Sequence, residues 1–371
     1  RRLPLAVHRK GRPPVYTLAV KEALQRIWLI LSCPCGKRLA PFLPEVVPIL
    51  ERFGELTLTP EVRATLLRIS PATIDRLLAH ERRTMELRGR SGTKPGSLLK
   101  QAIPIRTFAE WDEASPGFLE VDRVAHDGGH PRGEYAQTLD MVDVATGWTE
   151  TVAVPNKAQR WVVEALQRQL PAFPFPIRGI DSDNGAEFIN AHLLRFCEDH
   201  RITCTRSRPH RPNDSCHVEP KNWAVVRQYV GYLRYGSEQV ACLNALYAKL
   251  RLYTNFFQPV HKLRSKERHG ARVRRIYDTP QTPYQRVMAH PQVPEERREA
   301  LRRLHATLNP AELRRGIAQL QEQLLNSTLG QASVREADRP APSRNRRPRQ
   351  PGANDEASPP QGDPRETVPR P

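Results

Sequence analysis

The sequence predicts an α/β protein: a mixed sheet flanked by helices, preceded by an all-helical region and followed by a small basic region and a disordered tail. Three observations carry this. Residues 118–125, 135–144 and 148–154 are apolar, β-branched runs separated by His126-Asp127-Gly128-Gly129 and Ala145-Thr146-Gly147, which reads as three strands in succession. Helical and strand patterns then alternate over residues 159–206, the order expected of a layered α/β sheet. Apolar residues recur at helical spacing before residue 85, whereas the stretch after residue 331 has almost none and cannot bury a core.

Composition narrows the partners. With 58 Lys and Arg against 40 Asp and Glu, the 371-residue chain carries a formal charge of +18, which points to two or three domains and a polyanionic ligand. Thirty-five prolines and 39% hydrophobic residues imply sizeable linkers or tails. No run approaches the ~18 apolar residues of a membrane span, and Arg1-Arg2 is not followed by a signal-like apolar stretch. A soluble protein of the cytoplasm, associated with the nucleoid, is expected. The chain begins at Arg1, as a fragment of a longer reading frame would. Of six cysteines, Cys33-Pro34-Cys35 leaves one residue between thiols, too few for a zinc knuckle, so reduced structural thiols are expected.

Residues 1–88 read as a helical DNA-binding region. Arg9-Lys10-Gly11-Arg12 is either an arm against phosphates or a solvated lead-in. Leu18, Val20, Leu24, Ile27, Trp28 and Ile30 recur at helical spacing over residues 18–31, which reads as an amphipathic helix, and residues 44–53 read as a second. Thr59-Pro60-Glu61 and Ser70-Pro71-Ala72 each place a capping hydroxyl before a proline at the first helical position. Residues 59–83 therefore have the form of a helix-turn-helix with 71–83 as the recognition helix, Thr73 and Arg76 toward a groove and Arg82 and Arg83 toward phosphates. A plain helical pair in a bundle is the other reading. Residues 89–116 are a basic linker whose Lys94 and Lys100 suit a DNA backbone.

In residues 117–260 the carboxylates stand out. Asp122 lies in the first strand and Asp183 where the strand of residues 177–181 gives way to the Asn184-Gly185 turn. Glu219 follows 35 residues after Asp183 and opens a helix expected to run to Arg234. In-line phosphodiester displacement uses two hard cations roughly 3.5–4 Å apart, and magnesium prefers oxygen ligands. Three acids without Cys or His suit that chemistry. Asp181 competes with Asp183, and Glu120 shares the face of Asp122 by the two-residue period; Asp140 and Asp143 read as structural. Trp223, Val226, Val230 and Leu233 read as the core face of the last helix.

These acids, the string Asp183-Asn184-Gly185-Ala186-Glu187-Phe188, Gly147-Trp148-Thr149-Glu150 and His217-Val218-Glu219 through Lys221-Asn222-Trp223 resemble the DDE transposases of bacterial insertion sequences. Their catalytic core is of retroviral integrase type, with an RNase H-like fold. The resemblance covers most of residues 94–285. It implies Asp122, Asp183 and Glu219 as catalytic and metal ligands for two Mg²⁺ or Mn²⁺ ions, with Asp122 bridging. Lys221 and Asn222 then contact the DNA end, and Asp181, Asn184, His126 and His217 stand behind the ligands. Double-stranded DNA, as transposon ends and target, is the implied substrate, handled by a homo-oligomer. Three positions depart from the pattern: Arg123 after the first Asp, Cys216 before the Glu and Pro220 directly after it, the last tolerable only if the helix starts there.

Residues 261–330 form the basic C-terminal region, where the family carries DNA-contacting or subunit-bridging segments and a packed appendage is the alternative; residues 294–323 read as charged helix. Residues 331–371 are the disordered tail. Beside strand cleavage and transfer, two readings stay open: a nuclease that cuts without joining, and a decayed DNA-binding copy.

Overall fold

The structure is a computed structural model that describes residues 15–84, 115–182, 191–206, 217–270 and 272–337. The helical start comprises α1 (Leu18–Ile30), α2 (Gly36–Leu39), α3 (Leu43–Arg52), α4 (Pro60–Leu67), α5 (Pro71–Leu77) and α6 (Ala79–Arg83). The capping signals at Thr59 and Ser70 act as expected, and Thr17 adds a third: each accepts from the backbone N–H three residues on, supplying donors at helix starts with an acceptor they otherwise lack.

The single recognition helix expected over 71–83 is instead two. The chain leaves helical geometry at Leu78, where φ is −99° and ψ 10°, because Leu78 is drawn fully into the core and α6 sets off in a new direction.

The sheet is built from β1 (Phe118–Ala125), β2 (Gln137–Asp143), β3 (Thr149–Val154), β4 (Gly179–Ser182) and β5 (Thr203–Arg206), in the order β3-β2-β1-β4-β5. β1, β2 and β3 pair antiparallel, while β4 joins β1, and β5 joins β4, in parallel. This is the mixed RNase H-like sheet. Parallel strands need crossovers, and α7 (Gln159–Gln169) and α8 (Ala191–Asp199) provide them. Gly179 is where the sheet is tightest: a Cβ there would lie 2.1 Å from the Phe118 ring, so only glycine lets that ring lie over the strand.

Glu219 opens a segment that departs from the expected single helix. A short α9 (Glu219–Lys221) widens into a π-helical stretch (Asn222–Arg227), closes as α10 (Gln228–Val230) and stops at Gly231, whose φ is +68°. In π geometry the chain turns less per residue than in an α-helix, so residues three apart no longer share a face. The consequence corrects the sequence reading: Val226 and Val230 are buried, but Trp223 is 54% and Leu233 41% exposed.

The long α11 (Val240–Phe257) lies on β3, burying Leu243, Leu246, Tyr247, Leu250 and Tyr253. It also joins the sheet to the N-terminal helices. The Tyr253 hydroxyl donates to the Ile30 carbonyl at 2.6 Å and pairs with Ser32 at 2.9 Å; Gln258 donates to Leu31 O, and Arg38 to Pro259 O. One apolar core runs through both regions, and residues up to Leu329 form one compact unit.

Beyond α11 come the exposed hairpin β6 (Leu263–His269) and β7 (Arg272–Tyr277), then α12 (Pro283–Ala289), α13 (Glu295–Thr307) and α14 (Pro310–Ala337). The one charged helix expected over 294–323 is thus two, parted at Asn309, whose side chain accepts from Ala311 N. Helix α14 continues into what was read as tail. Gly330–Pro371 form a separate unit, and residues 338–371 lie outside those described.

Candidate active site

Asp122 occupies the middle of β1, directly across from Asp140 on β2. Its Oδ1 accepts from Arg123 N at 2.7 Å, and its Oδ2 from the Asn222 amide at 2.5 Å. That second bond joins the central strand to the segment Glu219 opens. Pro220 sits in the first turn of that segment, the place where a missing N–H costs nothing. The Glu219 carboxyl is held above its ordinary pKa, first by burial and then by the charge of Asp122. The charge of Asp122 is thus felt at Glu219.

Asp183, with Asn184, lies outside the described residues, as do Lys94, Lys100 and Cys216. Ser182, just before Asp183, is the last described residue of β4 and pairs with Val121, just before Asp122. Asp181 is buried, pairs in register with Glu120 and Thr205, and accepts from the Thr205 hydroxyl at 2.5 Å.

The other named residues divide. Lys221 is half-buried, its ammonium 3.4 Å from the Gly147 carbonyl and beside Asp140. Burial lowers the lysine's pKa and raises the aspartate's, and their mutual attraction opposes both shifts. In this arrangement Lys221 serves the interior and does not reach outward to DNA. His126, expected near the metals, is fully buried: Nε2 meets Thr138 Oγ1 at 2.7 Å, the ring packs edge-on against Tyr235, and burial takes its pKa down to about 3. A neutral core histidine of this kind positions no solvent. His217 gives its backbone N–H to Glu120, and burial lowers its ring pKa to about 4.

In the helical start, Thr73 is only 7% exposed and its hydroxyl is taken by Ser70 and Arg76, because the cap that starts α5 turns it inward. Arg82 pairs with Asp75 at 3.1 Å and lies over Trp28. Arg76 and Arg83 are exposed, with Arg68, Ala72 and His80 beside them.

Glu120 is the residue whose role the sequence reading did not see. It is 1% exposed, and its Oε2 accepts from the backbone N–H groups of both His217 and Val218. Burial first, then Asp181 and Glu219, push its carboxyl up to about 8 against the pull of those two N–H groups. The one visible signal was its two-residue spacing from Asp122.

No group of three or more His, Cys, Asp or Glu side chains placed to hold a metal occurs among the described residues. Two of the three expected donors are described, and they suit a hard divalent cation. Both are carboxylates, and the burial and the Asp122 charge that together raise Glu219 are what such a cation offsets.

The family model of the integrase core domain matches residues 112–212, a span that holds Asp122 and Asp183 and stops seven residues short of Glu219. An uncharacterized protein of Sinorhizobium fredii, y4rM, is 43% identical over 274 residues, 73% of this chain and 78% of its own length. The chain belongs to the y4rM family and carries a retroviral-type integrase/transposase catalytic core. The Gag-Pol polyprotein of avian reticuloendotheliosis virus is 28% identical over 104 residues, 28% of this chain, and the chain spans only 9% of that polyprotein. Among solved structures, the catalytic core domain of BIV integrase is similar, with 17% identity and a TM-score of 0.31 over 46% of this chain and 93% of that one. The integrase/transposase core places the chain in a polynucleotidyl-transferase family. Among the described residues no helix is long and apolar enough to cross a membrane.

Proposed function

We propose that this chain is a transposase that cuts DNA at the ends of a mobile element and transfers the freed 3′ hydroxyls to target DNA. The observation that carries the reading is the junction of Asp122 and Glu219. Asp122 on the central strand is bonded by the amide of Asn222, in the helical segment that Glu219 opens, in a chain whose integrase-core match also spans Asp183.

Asp122, Asp183 and Glu219 would hold two Mg²⁺ or Mn²⁺ ions, which supply activation of the nucleophile and stabilisation of the leaving oxygen when bound. The rest falls to the protein. Asn222 and the Arg123 amide orient the carboxylate of Asp122. The parallel pairing of β1 with β4 sets Ser182, the residue before Asp183, beside Val121, the residue before Asp122, which supports the reading. Sub-ångström placement of this kind is what in-line displacement demands. End recognition is assigned to the exposed face of α5 and α6 with Arg76 and Arg83, and backbone contact to Lys94 and Lys100. The net charge of +18 supplies salt-dependent affinity, and the protein acts as a homo-oligomer on DNA.

The test is strand cleavage and joining on labelled DNA carrying the ends that flank the gene, with Mg²⁺ or Mn²⁺ and with EDTA. Asp122→Asn is expected to abolish both products while leaving DNA binding intact. Cleavage by that variant at the wild-type rate refutes the proposal, and cleavage without joined product reduces it to a nuclease.

A further inference from the structure

We infer that Glu120 is a positioning residue: its carboxyl group clamps the start of the Glu219 segment onto β1 and so fixes the distance between Glu219 and Asp122. The inference rests on the proposed roles of those two acids.

The N–H groups at the start of a helix have no partner within it and need an outside acceptor. Val218, at the cap position, makes no side-chain cap bond, and Pro220 has no N–H to give. Glu120 fills the role from another element. Its Oε2 takes His217 N at 2.8 Å and Val218 N at 2.7 Å, across nearly one hundred residues of chain.

The geometry makes this more than a cap. Glu120 and Asp122 are two residues apart on one strand and share a face, and the two N–H groups lie immediately before Glu219. A clamp from β1 therefore sets both acids from one rigid base. A cap supplied by Val218 or by the preceding loop would secure the helix and leave its distance from Asp122 free. Burial supports the same reading. Glu120 is 1% exposed, and its Oε1 has no hydrogen-bond partner among the described residues, a costly arrangement for a group that only stabilises.

Two substitutions separate reach from the carboxyl group itself. Glu120→Gln keeps an oxygen at the same reach, whereas Glu120→Asp keeps the carboxyl group but withdraws it by one methylene. Each is read three ways: hydrogen exchange of the His217 and Val218 amides in metal-free protein, Mn²⁺ binding by electron paramagnetic resonance, and cleavage rate. Removing an outer hydrogen bond from a metal site costs about 10- to 100-fold in affinity. Glu120→Asp is expected to show that loss, faster exchange at the two amides and an unchanged DNA affinity in EDTA. Glu120→Gln is expected to stay within about 3-fold of wild type in Mn²⁺ affinity, well inside that range.

The reverse order, with Asp tolerated and Gln not, overturns the inference by making the carboxyl group the requirement. Wild-type exchange and Mn²⁺ affinity in Glu120→Asp overturns it too, and in a wild type that cleaves DNA leaves the transposase reading standing. A wild type that neither binds Mn²⁺ nor cleaves sinks that reading instead, while amide exchange still decides whether the clamp exists.

Discussion

Replacing Asn222 by alanine separates stability from chemistry at one side chain. The amide donates to Asp122 Oδ2, while its own Oδ1 is buried without a hydrogen-bond partner among the described residues. Deleting the donor removes a hydrogen bond to a charged group, about 1.5–3 kcal/mol. Deleting the acceptor relieves a buried unsatisfied carbonyl, about 1–3 kcal/mol in the other direction. The two nearly cancel, so the urea midpoint of Asn222→Ala is expected to stay within about 1 kcal/mol of wild type. The chemistry has no such compensation. Asp122 loses the contact that orients it toward the Glu219 segment, and 1.5–3 kcal/mol of transition-state stabilisation corresponds to about 10- to 150-fold in single-turnover cleavage. Urea melts and quench-flow cleavage on one preparation give both numbers. A wild-type cleavage rate refutes the orienting role, and a rate loss matched by equal loss of stability refutes the cancellation.

Two further outcomes follow from buried charge. His126 titrates at about 3 in the folded protein because burial disfavours its cation, against an ordinary ~6.5 unfolded. Its folded pKa is depressed, so its contribution to stability is complete above pH ~6.5 and shrinks as acid protonates the unfolded chain, reaching a loss of about 2 kcal/mol at pH 5. Urea melts between pH 7 and 5 should show a flatter dependence in His126→Gln; equal slopes would remove His126 as the cause. Arg251 donates to both oxygens of Glu150, which is 1% exposed and also holds the Trp148 indole N–H. Arg251→Ala strands that carboxylate and should cost about 3–5 kcal/mol, read as a fall in the thermal midpoint, whereas a fall under 1 kcal/mol would mean that solvent reaches Glu150.

Much of this fold was legible because local signals and tertiary packing agree. β1 has the limits its apolar alternation gave it, and the hydroxyl-proline pairs at Thr59 and Ser70 start helices where expected. Asp122 and Glu219 came from residue type and spacing, and Pro220 proved compatible with a helix start. What escaped has physical reasons. Helical periodicity assumes 3.6 residues per turn, so the π-helical stretch sent Trp223 to the wrong face. The hairpin β6–β7 has no apolar face and gave no strand signal. Hydrogen bonds from Glu120 to His217 and from Tyr253 to Ile30 join residues about one hundred and more than two hundred positions apart, a relation no window of sequence contains. Thr73 looked outward because a capping threonine and a groove-reading one have the same neighbours.

The bonds from Tyr253, Gln258 and Arg38 that join the helical start to α11 bear on how the protein behaves as a whole. A reader of DNA sequence and a cutter of DNA are commonly imagined as beads on a string, each melting on its own. Here helices α1 to α5 and the sheet share one apolar interior, so they gain and lose order together. Damage to α1 or α3 is then felt as a lower population of competent Asp122 and Glu219. Binding that steadies the helical face is, by the same linkage, free energy delivered to the carboxylates.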